Sequence, residues 1–268
     1  MLDGLLLAVV LAASLQSGRP AGSVADVHIQ GRFRLHAVLV KPEGSGPFRA
    51  IVYNHGSKRD SSYKDQAALG AWFRDHGYVV LFLYRPGVNG SKGTYWKDIV
   101  DRSPSPSRYA RMLGVFDAES EDILDAVAWL RKRPFVDPHR VAVAGCSFGG
   151  SETLLALDHS KDVFAGLDFA GASMRWARSP RLRRRLRRAV LRSDAPIFFL
   201  QAANDFDTAP TLNLAELMHS AGKPSLGRIY PPHGSTPSEG HAGFCFDGMD
   251  EWGNDVLAFL DDASRGAR

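Results

Sequence analysis

The sequence predicts an α/β fold: a doubly wound, mostly parallel sheet of about eight strands flanked by helices. Two observations support this prediction: strand-like and helix-like segments alternate along the chain, and several of the strand-like segments are unbroken apolar runs. The chain of 268 residues, 44% of them hydrophobic, is long enough to bury one large core. Since no linker-like stretch divides it, we expect residues 26–268 to form a single domain.

Residues 1–25 carry some features of an export signal. The apolar run from Leu5 to Leu15 is too short to span a bilayer, and small residues follow at Ser23 and Ala25, where a signal peptidase could cleave. Against export, Asp3 is present and no Lys or Arg precedes the apolar run. Two alternatives stay open: a cleaved signal peptide on a periplasmic or secreted protein, or an N-terminal extension on a cytoplasmic one.

The first half of the chain predicts strands, a helix, a loop and a long helix, in that order. "VHIQGRFRLHAVLVKP" predicts a hairpin around Gly31, and "RAIVYNHG" and "YVVLFLYRPG" predict buried strands. Between the last two, "SYKDQAALGAWFRDHG" predicts a helix that ends at Gly77. Residues 87–109 are rich in Gly, Ser and Pro, so we expect a loop there. "GVFDAESEDILDAVAWLRKRPFVD" then predicts an amphipathic helix with acidic residues first and basic residues last.

The second half continues the alternation. Strands are predicted in "RVAVAGC", "VFAGLDFAGAS", "PIFFLQA" and "GRIYPP", and helices in "GSETLLAL", "APTLNLAELMHSAG" and "DEWGNDVLAFLDD". Strand–helix–strand units of this kind connect with right-handed crossovers, so the sheet should be parallel. The N-terminal hairpin is expected to add short antiparallel strands at one edge.

Residues 145–149, Gly-Cys-Ser-Phe-Gly, fit the pattern G-x-S-x-G between a predicted strand and a predicted helix. The positions two before and two after the serine must be nearly free of side chain, because the backbone turns sharply there. Ser147 is then held in a strained conformation with its hydroxyl exposed. We therefore predict that Ser147 is a nucleophile and that Cys146 is a small buried apolar residue.

The composition argues against several other classes of protein. With Cys146 and Cys245 as the only cysteines, no disulfide framework is expected to hold the fold together. The sequence has no H-E-x-x-H and no paired Cys/His spacing, so neither a metal nor an organic cofactor is expected. The net charge of +4 is modest, although its positive residues are unevenly spread.

A serine hydroxyl needs a base to take its proton and a carboxylate to orient that base. After a nucleophile elbow, the chain order is Ser, then Asp or Glu, then His. Asp205 follows directly on a predicted strand and is favoured as the acid, whereas Asp207 is better placed to cap the next helix. His241, in a Gly-flanked stretch, is favoured as the base, with His233 in reserve.

The oxyanion of a tetrahedral intermediate also needs backbone donors. One would be the amide of Phe148, directly after the nucleophile. The other should come from the loop after the "AIVYNHGS" strand, and Ser57 is the candidate.

These residues together resemble the α/β-hydrolase superfamily, and within it the dienelactone hydrolase-like group near the prolyl-oligopeptidase-type serine hydrolases. The resemblance covers roughly residues 27–262 and rests on "YNHGS", "YRPGVNGSKGTYW", "GCSFGG", "GASMRWARSP", "FFLQAANDFDTAP" and "EGHAGF". It implies the α/β-hydrolase fold and a triad of Ser147, Asp205 and His241. Dienelactone hydrolases proper have a cysteine where this sequence has Ser147, so the resemblance favours a serine esterase or peptidase.

The segment "MRWARSPRLRRRLRRAVLR" holds nine arginines and no acidic residue. Leu182, Leu186, Ala189 and Val190 are spaced to lie on one face of a helix, so the arginines would cover its exposed side. We expect a small Arg-rich helical insertion that is mainly a solvated surface helix. A surface for acidic partners is the alternative.

The sequence thus favours a serine carboxylic ester hydrolase that forms an acyl-enzyme. A serine peptidase of the prolyl-oligopeptidase type or an acyltransferase could use the same site. The alternative outside enzymology is a non-catalytic scaffold that binds acidic partners through the Arg-rich helix. A small ester or short peptide is the expected partner; nucleic acid and a transmembrane anchor are not expected.

Overall fold

The structure, a computed structural model, describes residues 22–102, 104 and 107–266. The predicted apolar run from Leu5 to Leu15 therefore lies outside the described residues. The small residues Ser23 and Ala25 lie in the first strand, so cleavage after Ala25 would remove the start of that strand.

Eight strands of the described chain form one sheet in the order β1-β2-β4-β3-β5-β6-β7-β8. β1 pairs antiparallel with β2, and β2 with β4, while all other pairs are parallel. The predicted α/β sheet with an antiparallel N-terminal edge is confirmed. The strands are β1 (Ser23–Gln30), β2 (Arg34–Lys41), β3 (Phe48–Asn54), β4 (Tyr78–Leu83), β5 (Val136–Cys146), β6 (Gly166–Phe169), β7 (Ile197–Ala202) and β8 (Ser225–Tyr230).

Helices cover both faces of this sheet. On β6, Asp168 faces α4, and the next residue, Phe169, packs edge-on against Trp252 of α8 on the other face. In the described part of the chain, no helix is both long and apolar enough to cross a membrane. The α-helices are α1 (Ala67–Asp75), α2 (Trp96–Asp101), α3 (Arg108–Arg131), α4 (Phe148–His159), α5 (Pro180–Arg192), α6 (Ala209–Ser220), α7 (Phe244–Asp247) and α8 (Met249–Gly266).

The segment predicted as a loop at residues 87–109 differs from the prediction. It contains the short helix α2, and α3 starts at Arg108, before the predicted start at Gly114. Burial explains α2: the rings of Tyr95 and Trp96 are buried against the rest of the fold, and Trp96 contacts the ring of Phe148 at 4.9 Å. Tertiary packing here overrides a composition typical of loops.

Helix α5 is the Arg-rich helix. It connects β6 to β7 and packs beside α4 and α6, and the four apolar residues predicted for one face, Leu182, Leu186, Ala189 and Val190, are all buried. Some of its arginines are held by acidic side chains of neighbouring helices. Arg185 donates to Asp158 (2.7 Å) and Asp117 (2.9 Å), and Arg192 pairs with Asp158 at 2.8 Å.

The prediction that no disulfide holds the fold was wrong. Cys146, at the end of β5, is bonded to Cys245 in α7, and the two residues lie 99 positions apart in sequence. Both are buried, as predicted for Cys146, but neither is a free apolar residue. The sequence could not indicate this pairing, because it depends on the chain after β8 returning beneath the end of β5.

Candidate active site

Ser147 lies at the sharp turn between β5 and α4, in the middle of the sheet. Its φ of 59° and ψ of −112° are a strained combination for a residue with a side chain. A Cβ on Gly145 would lie 2.4 Å from backbone atoms of Gly149, and a Cβ on Gly149 would lie 2.2 Å from the carbonyl oxygen of Asn54. Both glycines are therefore required by close backbone contacts, which is the geometry of a nucleophile elbow.

His241 connects Ser147 to Asp205 through hydrogen bonds. Its Nε2 lies 2.8 Å from Oγ of Ser147, and its Nδ1 lies 2.9 Å from each carboxylate oxygen of Asp205. With the imidazole proton on Nδ1, the ring donates to the carboxylate and accepts from the serine hydroxyl. The Asp205 side chain is fully buried and that of His241 is 8% exposed, so water competes little for these bonds.

Each member of this trio comes from a different loop at the carboxyl edge of the sheet. Asp205 follows β7, and His241 lies in one turn of π-helix, Glu239–Gly243, after β8. Because parallel strands bring their carboxyl ends to one edge, residues far apart in sequence meet there.

Two side chains that the sequence analysis missed hold the Asp205 carboxylate. Ser173 Oγ donates to one oxygen and Gln201 Nε2 to the other, each at 2.7 Å. The amide of Gln201 has a fixed orientation, since its Oε1 accepts from Thr211 at 2.8 Å. Gln201 could have been noticed in the sequence as a polar residue in a predicted buried strand, four residues before Asp205. Nothing in the sequence pointed to Ser173.

The two reserve residues lie elsewhere. His233 pairs with Glu251 at 2.6 Å and is not within hydrogen-bond distance of Ser147. Asp207 accepts a hydrogen bond from the amide of Ala209 (2.9 Å), at the start of α6. Within the described ranges, no cluster of three or more His, Cys, Asp or Glu side chains is arranged to hold a metal ion.

The loop after β3 lies beside the nucleophile. A Cβ on Gly56 would come within 3.8 Å of the Cβ of Ser147. No hydrogen bond from the Ser57 amide is found among the described residues. The amide of Phe148 is in the first turn of α4, where backbone N–H groups have no partner within the helix. Among the described residues, neither predicted oxyanion donor, the amide of Ser57 or that of Phe148, has a hydrogen-bond partner.

A buried charged cluster, which the sequence analysis also missed, lies behind this loop. The Arg85 guanidinium donates to Oε2 of Glu152 at 2.8 Å and lies 3.6 Å from Glu119. Burial raises the pKa of Glu119 well above its ordinary value, helped by the negative charge of Glu152. Burial and the nearby charge of Arg85 lower the pKa of His55 well below its ordinary value, so His55 is neutral.

A further buried carboxyl lies on the strand next to β5. Asp168 pairs in register with Gly145, and burial raises its pKa to about 7. Its only hydrogen bond among the described residues comes from the amide of Gly171 at 2.9 Å. The carboxyl group faces Gly150 and Gly171 rather than His241.

Aromatic and basic side chains surround the site. Phe206 is 47% exposed, and its ring meets that of His241 edge-on at 5.5 Å. The guanidinium groups of Arg59 and Arg175 lie 4.3 Å and 5.7 Å from the rings of Tyr95 and Trp96. A cavity of about 870 Å³ lies at the opposite edge of the sheet, between the starts of β6, β7 and β8 and the end of α8.

Comparison with known families gives a match to the model of X-Pro dipeptidyl-peptidase (S15 family) over residues 30–177. Polyketide transferase grgF of Penicillium sp is 32% identical over 103 residues, which are 38% of this chain and 30% of that protein. Dipeptidyl aminopeptidase BIII of Pseudoxanthomonas mexicana is 28% identical over 150 residues, 56% of this chain and 18% of that protein. The matched region spans less than a third of these curated relatives.

Solved structures with the same fold include two hydrolases of different length. A putative dienelactone hydrolase from Klebsiella pneumoniae superposes with a TM-score of 0.65 at 17% identity, covering 90% of this chain and 99% of that one. Acylaminoacyl peptidase of Pyrococcus horikoshii gives a TM-score of 0.62 at 18% identity, covering 84% of this chain and 39% of that one. At these identities the likeness establishes the fold, and the fold is the α/β-hydrolase fold.

Proposed function

Because the chain belongs to the X-Pro dipeptidyl-peptidase (S15) family, we propose that its α/β-hydrolase site is a working serine hydrolase with Ser147, His241 and Asp205 as the catalytic triad. The observation that carries this proposal is the line of hydrogen bonds from the Ser147 hydroxyl through both nitrogens of His241 to the buried carboxylate. The reaction is hydrolysis of a small acyl substrate through an acyl-enzyme.

In the acylation step, Nε2 of His241 takes the hydroxyl proton as Oγ of Ser147 attacks the substrate carbonyl carbon. The carbonyl oxygen becomes an oxyanion and accepts hydrogen bonds from the amides of Ser57 and Phe148. The scissile bond then breaks, and the proton on Nε2 passes to the leaving amine or alcohol. The product of this step is an ester between the acyl group and Ser147.

In the deacylation step, Nε2 of His241 takes a proton from water, which attacks the acyl carbon. A second tetrahedral intermediate uses the same two amides, and its collapse returns the proton to Oγ of Ser147 and releases the acid. Asp205 stabilises the imidazolium ion in both steps without being protonated itself. Its bonds from Ser173 and Gln201 fix the orientation in which it meets Nδ1.

Peptides are the first substrate class that we propose. The family is described as X-Pro dipeptidyl-peptidases, and one curated relative is a dipeptidyl aminopeptidase. Amide hydrolysis requires a general acid for the leaving amine, and His241 at 2.8 Å from Oγ is placed to supply that proton. The sequence alone favoured esters, and the family match is the reason for placing peptides first.

Carboxylic esters are the second candidate, and the charges around the site favour them. Arg175 is exposed and has no acidic partner among the described residues, and it lies over Trp96, which packs on Phe148. The free α-ammonium group of a dipeptidyl-peptidase substrate would be repelled by such a cation. A neutral or anionic ester avoids this repulsion.

A substrate panel with matched variants tests the proposal. We expect turnover of a dipeptidyl p-nitroanilide with proline in second position, of p-nitrophenyl acetate, or of both, and the ratio of kcat/KM values assigns the substrate class. Ser147→Ala and His241→Ala should each lower kcat by about 10⁴-fold or more. Ser220→Ala and His219→Ala, at the exposed end of α6, are the controls. Wild-type turnover in Ser147→Ala would refute the proposal, and loss in His233→Ala alone would reassign the base.

A further inference from the structure

We propose that Arg85 is a positioning residue that builds the oxyanion hole by holding the Gly56–Ser57 peptide in the orientation that catalysis needs. This inference rests on the proposed function, since it concerns the donors that would stabilise the oxyanion. Arg85 itself touches neither substrate nor Ser147. It acts through the backbone of the loop that follows β3.

The guanidinium group of Arg85 binds two successive carbonyl groups of that loop. Nη1 donates to the carbonyl of His55 at 2.7 Å, and Nη2 donates to the carbonyl of Gly56. The Gly56 carbonyl also accepts from Nδ1 of the neutral His55 ring at 2.7 Å, while Nε2 of that ring accepts from the backbone amide of Arg85 at 3.3 Å. The loop is thus held at both carbonyls by one rigid planar group.

These contacts decide where the Ser57 amide points. In a trans peptide the C=O and N–H bonds point in opposite directions, so a Gly56 carbonyl turned toward Arg85 turns the N–H of Ser57 away from it. That amide is free among the described residues, and Gly56 lies beside the nucleophile. Rotation of this one peptide would replace the donor by a carbonyl oxygen, which would repel the oxyanion.

The next peptide is fixed as well. The Ser57 carbonyl accepts from the hydroxyl of Tyr95 and from Nε1 of Trp96, the latter at 3.1 Å. Arg85 and Trp96 also contact the ring of Phe148, at 4.4 Å and 4.9 Å from its centre. Arg85 therefore contacts both the peptide group that carries the Ser57 amide and the side chain of Phe148, whose amide is the other expected donor.

Two carboxyl groups hold Arg85 in turn. Its side chain and those of Glu119 and Glu152 are no more than 3% exposed, and Glu152 lies on α4, the helix that begins directly after Ser147. Burial raises the pKa of Glu119 well above its ordinary value and also raises the pKa of Glu152, which reduces the negative charge that the two carboxyl groups carry beside Arg85. A net negative charge behind the loop would oppose an oxyanion in front of it.

The test is Arg85→Lys, compared with Arg49→Lys as the matched control. Arg49 lies at the opposite end of β3, where it pairs with Asp261 and donates to Tyr78. A lysine presents a single ammonium group in place of the two nitrogens, Nη1 and Nη2, that bind the two loop carbonyls, so it does not reproduce this planar geometry. We expect kcat to fall about 100-fold in Arg85→Lys with KM changed less than about twofold, because the lost interaction is made only in the transition state. Arg49→Lys should keep wild-type kcat.

A second readout separates this role from a general structural one. A trifluoromethyl ketone analogue of the better substrate forms a tetrahedral adduct on the nucleophile, with its oxyanion in the hole. Its inhibition constant should rise in Arg85→Lys by the same factor by which kcat/KM falls. An unchanged inhibition constant, or a kcat within about twofold of wild type, would overturn the inference.

If Arg85→Lys does not fold, Glu152→Leu replaces it, since this change removes the carboxylate that accepts from Nη1 of Arg85 and leaves the loop residues themselves unchanged. It should show the same parallel loss in kcat and in trifluoromethyl ketone affinity, and wild-type values for both would overturn the inference. Failure of the proposed function is distinguishable, because activity would then survive in Ser147→Ala. Failure of this inference alone leaves Ser147→Ala inactive and Arg85→Lys fully active.

Discussion

Replacing both cysteines by alanine should cost the protein a large part of its stability. Cys146 ends β5, directly before Ser147, and Cys245 lies four residues after His241. The bond therefore joins the nucleophile turn to the segment that carries the histidine. In the double variant Cys146→Ala/Cys245→Ala this connection is made only by packing.

The size of the effect follows from the length of chain that the bond closes. The two cysteines are 99 positions apart. In the chain-entropy account, a cross-link that closes a loop of about 100 residues stabilises the fold by about 4.7 kcal/mol at 25 °C. Net stabilities of domains are about 5–15 kcal/mol, so the variant should lose a third or more of its free energy of unfolding.

Urea unfolding of the wild type and the double variant measures this loss, with and without a reducing agent. Adding the reductant should lower the free energy of unfolding of the wild type by about 3–5 kcal/mol, because the unfolded chain is then no longer cross-linked. The free energy of unfolding of the double variant should not change with reductant. Thiol titration in denaturant without reductant should find no free thiol in the wild type. Two free thiols per chain, or equal stability of the two proteins, would refute the reasoning.

Three further substitutions test separate contacts. Asp168→Asn should remove a pH dependence of stability. Because burial raises the folded-state pKa of Asp168 to about 7, the free energy of unfolding of the wild type should fall by about 2–3 kcal/mol between pH 5 and pH 8 on account of this group. Urea unfolding at the two pH values should therefore show the variant gaining that amount relative to the wild type. A pH-independent difference would contradict the raised pKa. Ser173→Ala should lower kcat/KM roughly tenfold and should lower the free energy of unfolding by about 1–3 kcal/mol, because Asp205 loses a buried hydrogen-bond donor. Unchanged kinetics would show that Ser173 does not support the site. Gly149→Ala should lower the free energy of unfolding by about 3 kcal/mol or more, measured by thermal or urea unfolding, since the new Cβ would lie 2.2 Å from a backbone carbonyl oxygen. A variant as stable as wild type would contradict that contact.

Much of the fold was predictable because local patterns and tertiary packing agree. The apolar runs that became β3, β4 and β7 are buried on both faces, as central parallel strands must be. The need for glycine at positions 145 and 149 was predictable because the backbone turns sharply around Ser147, and the structure shows which backbone atoms a Cβ at either position would meet. Helix α2 was not predictable, since its formation depends on Trp96 packing against Phe148, far away in sequence.

For the candidate site, chain order carried the sequence-based choice of residues. Asp205 was favoured because it directly follows a predicted strand, and His241 because it lies in a Gly-flanked stretch after the last predicted strand. Parallel strands bring such positions to one edge. The supporting residues had no such signal. Arg85 acts on a loop about 30 residues earlier in the chain, and Cys245 bonds to a partner 99 residues away, so only the folded chain reveals either contact.

Labelling with a fluorophosphonate, followed by peptide mapping, tests the central claim most directly. The account predicts one adduct per chain, on the Ser147 hydroxyl, and none in Ser147→Ala. It also predicts labelling at least about 100-fold slower in His241→Ala, because the hydroxyl then has no base at 2.8 Å. An adduct on another residue, or labelling of His241→Ala at the wild-type rate, would contradict the account.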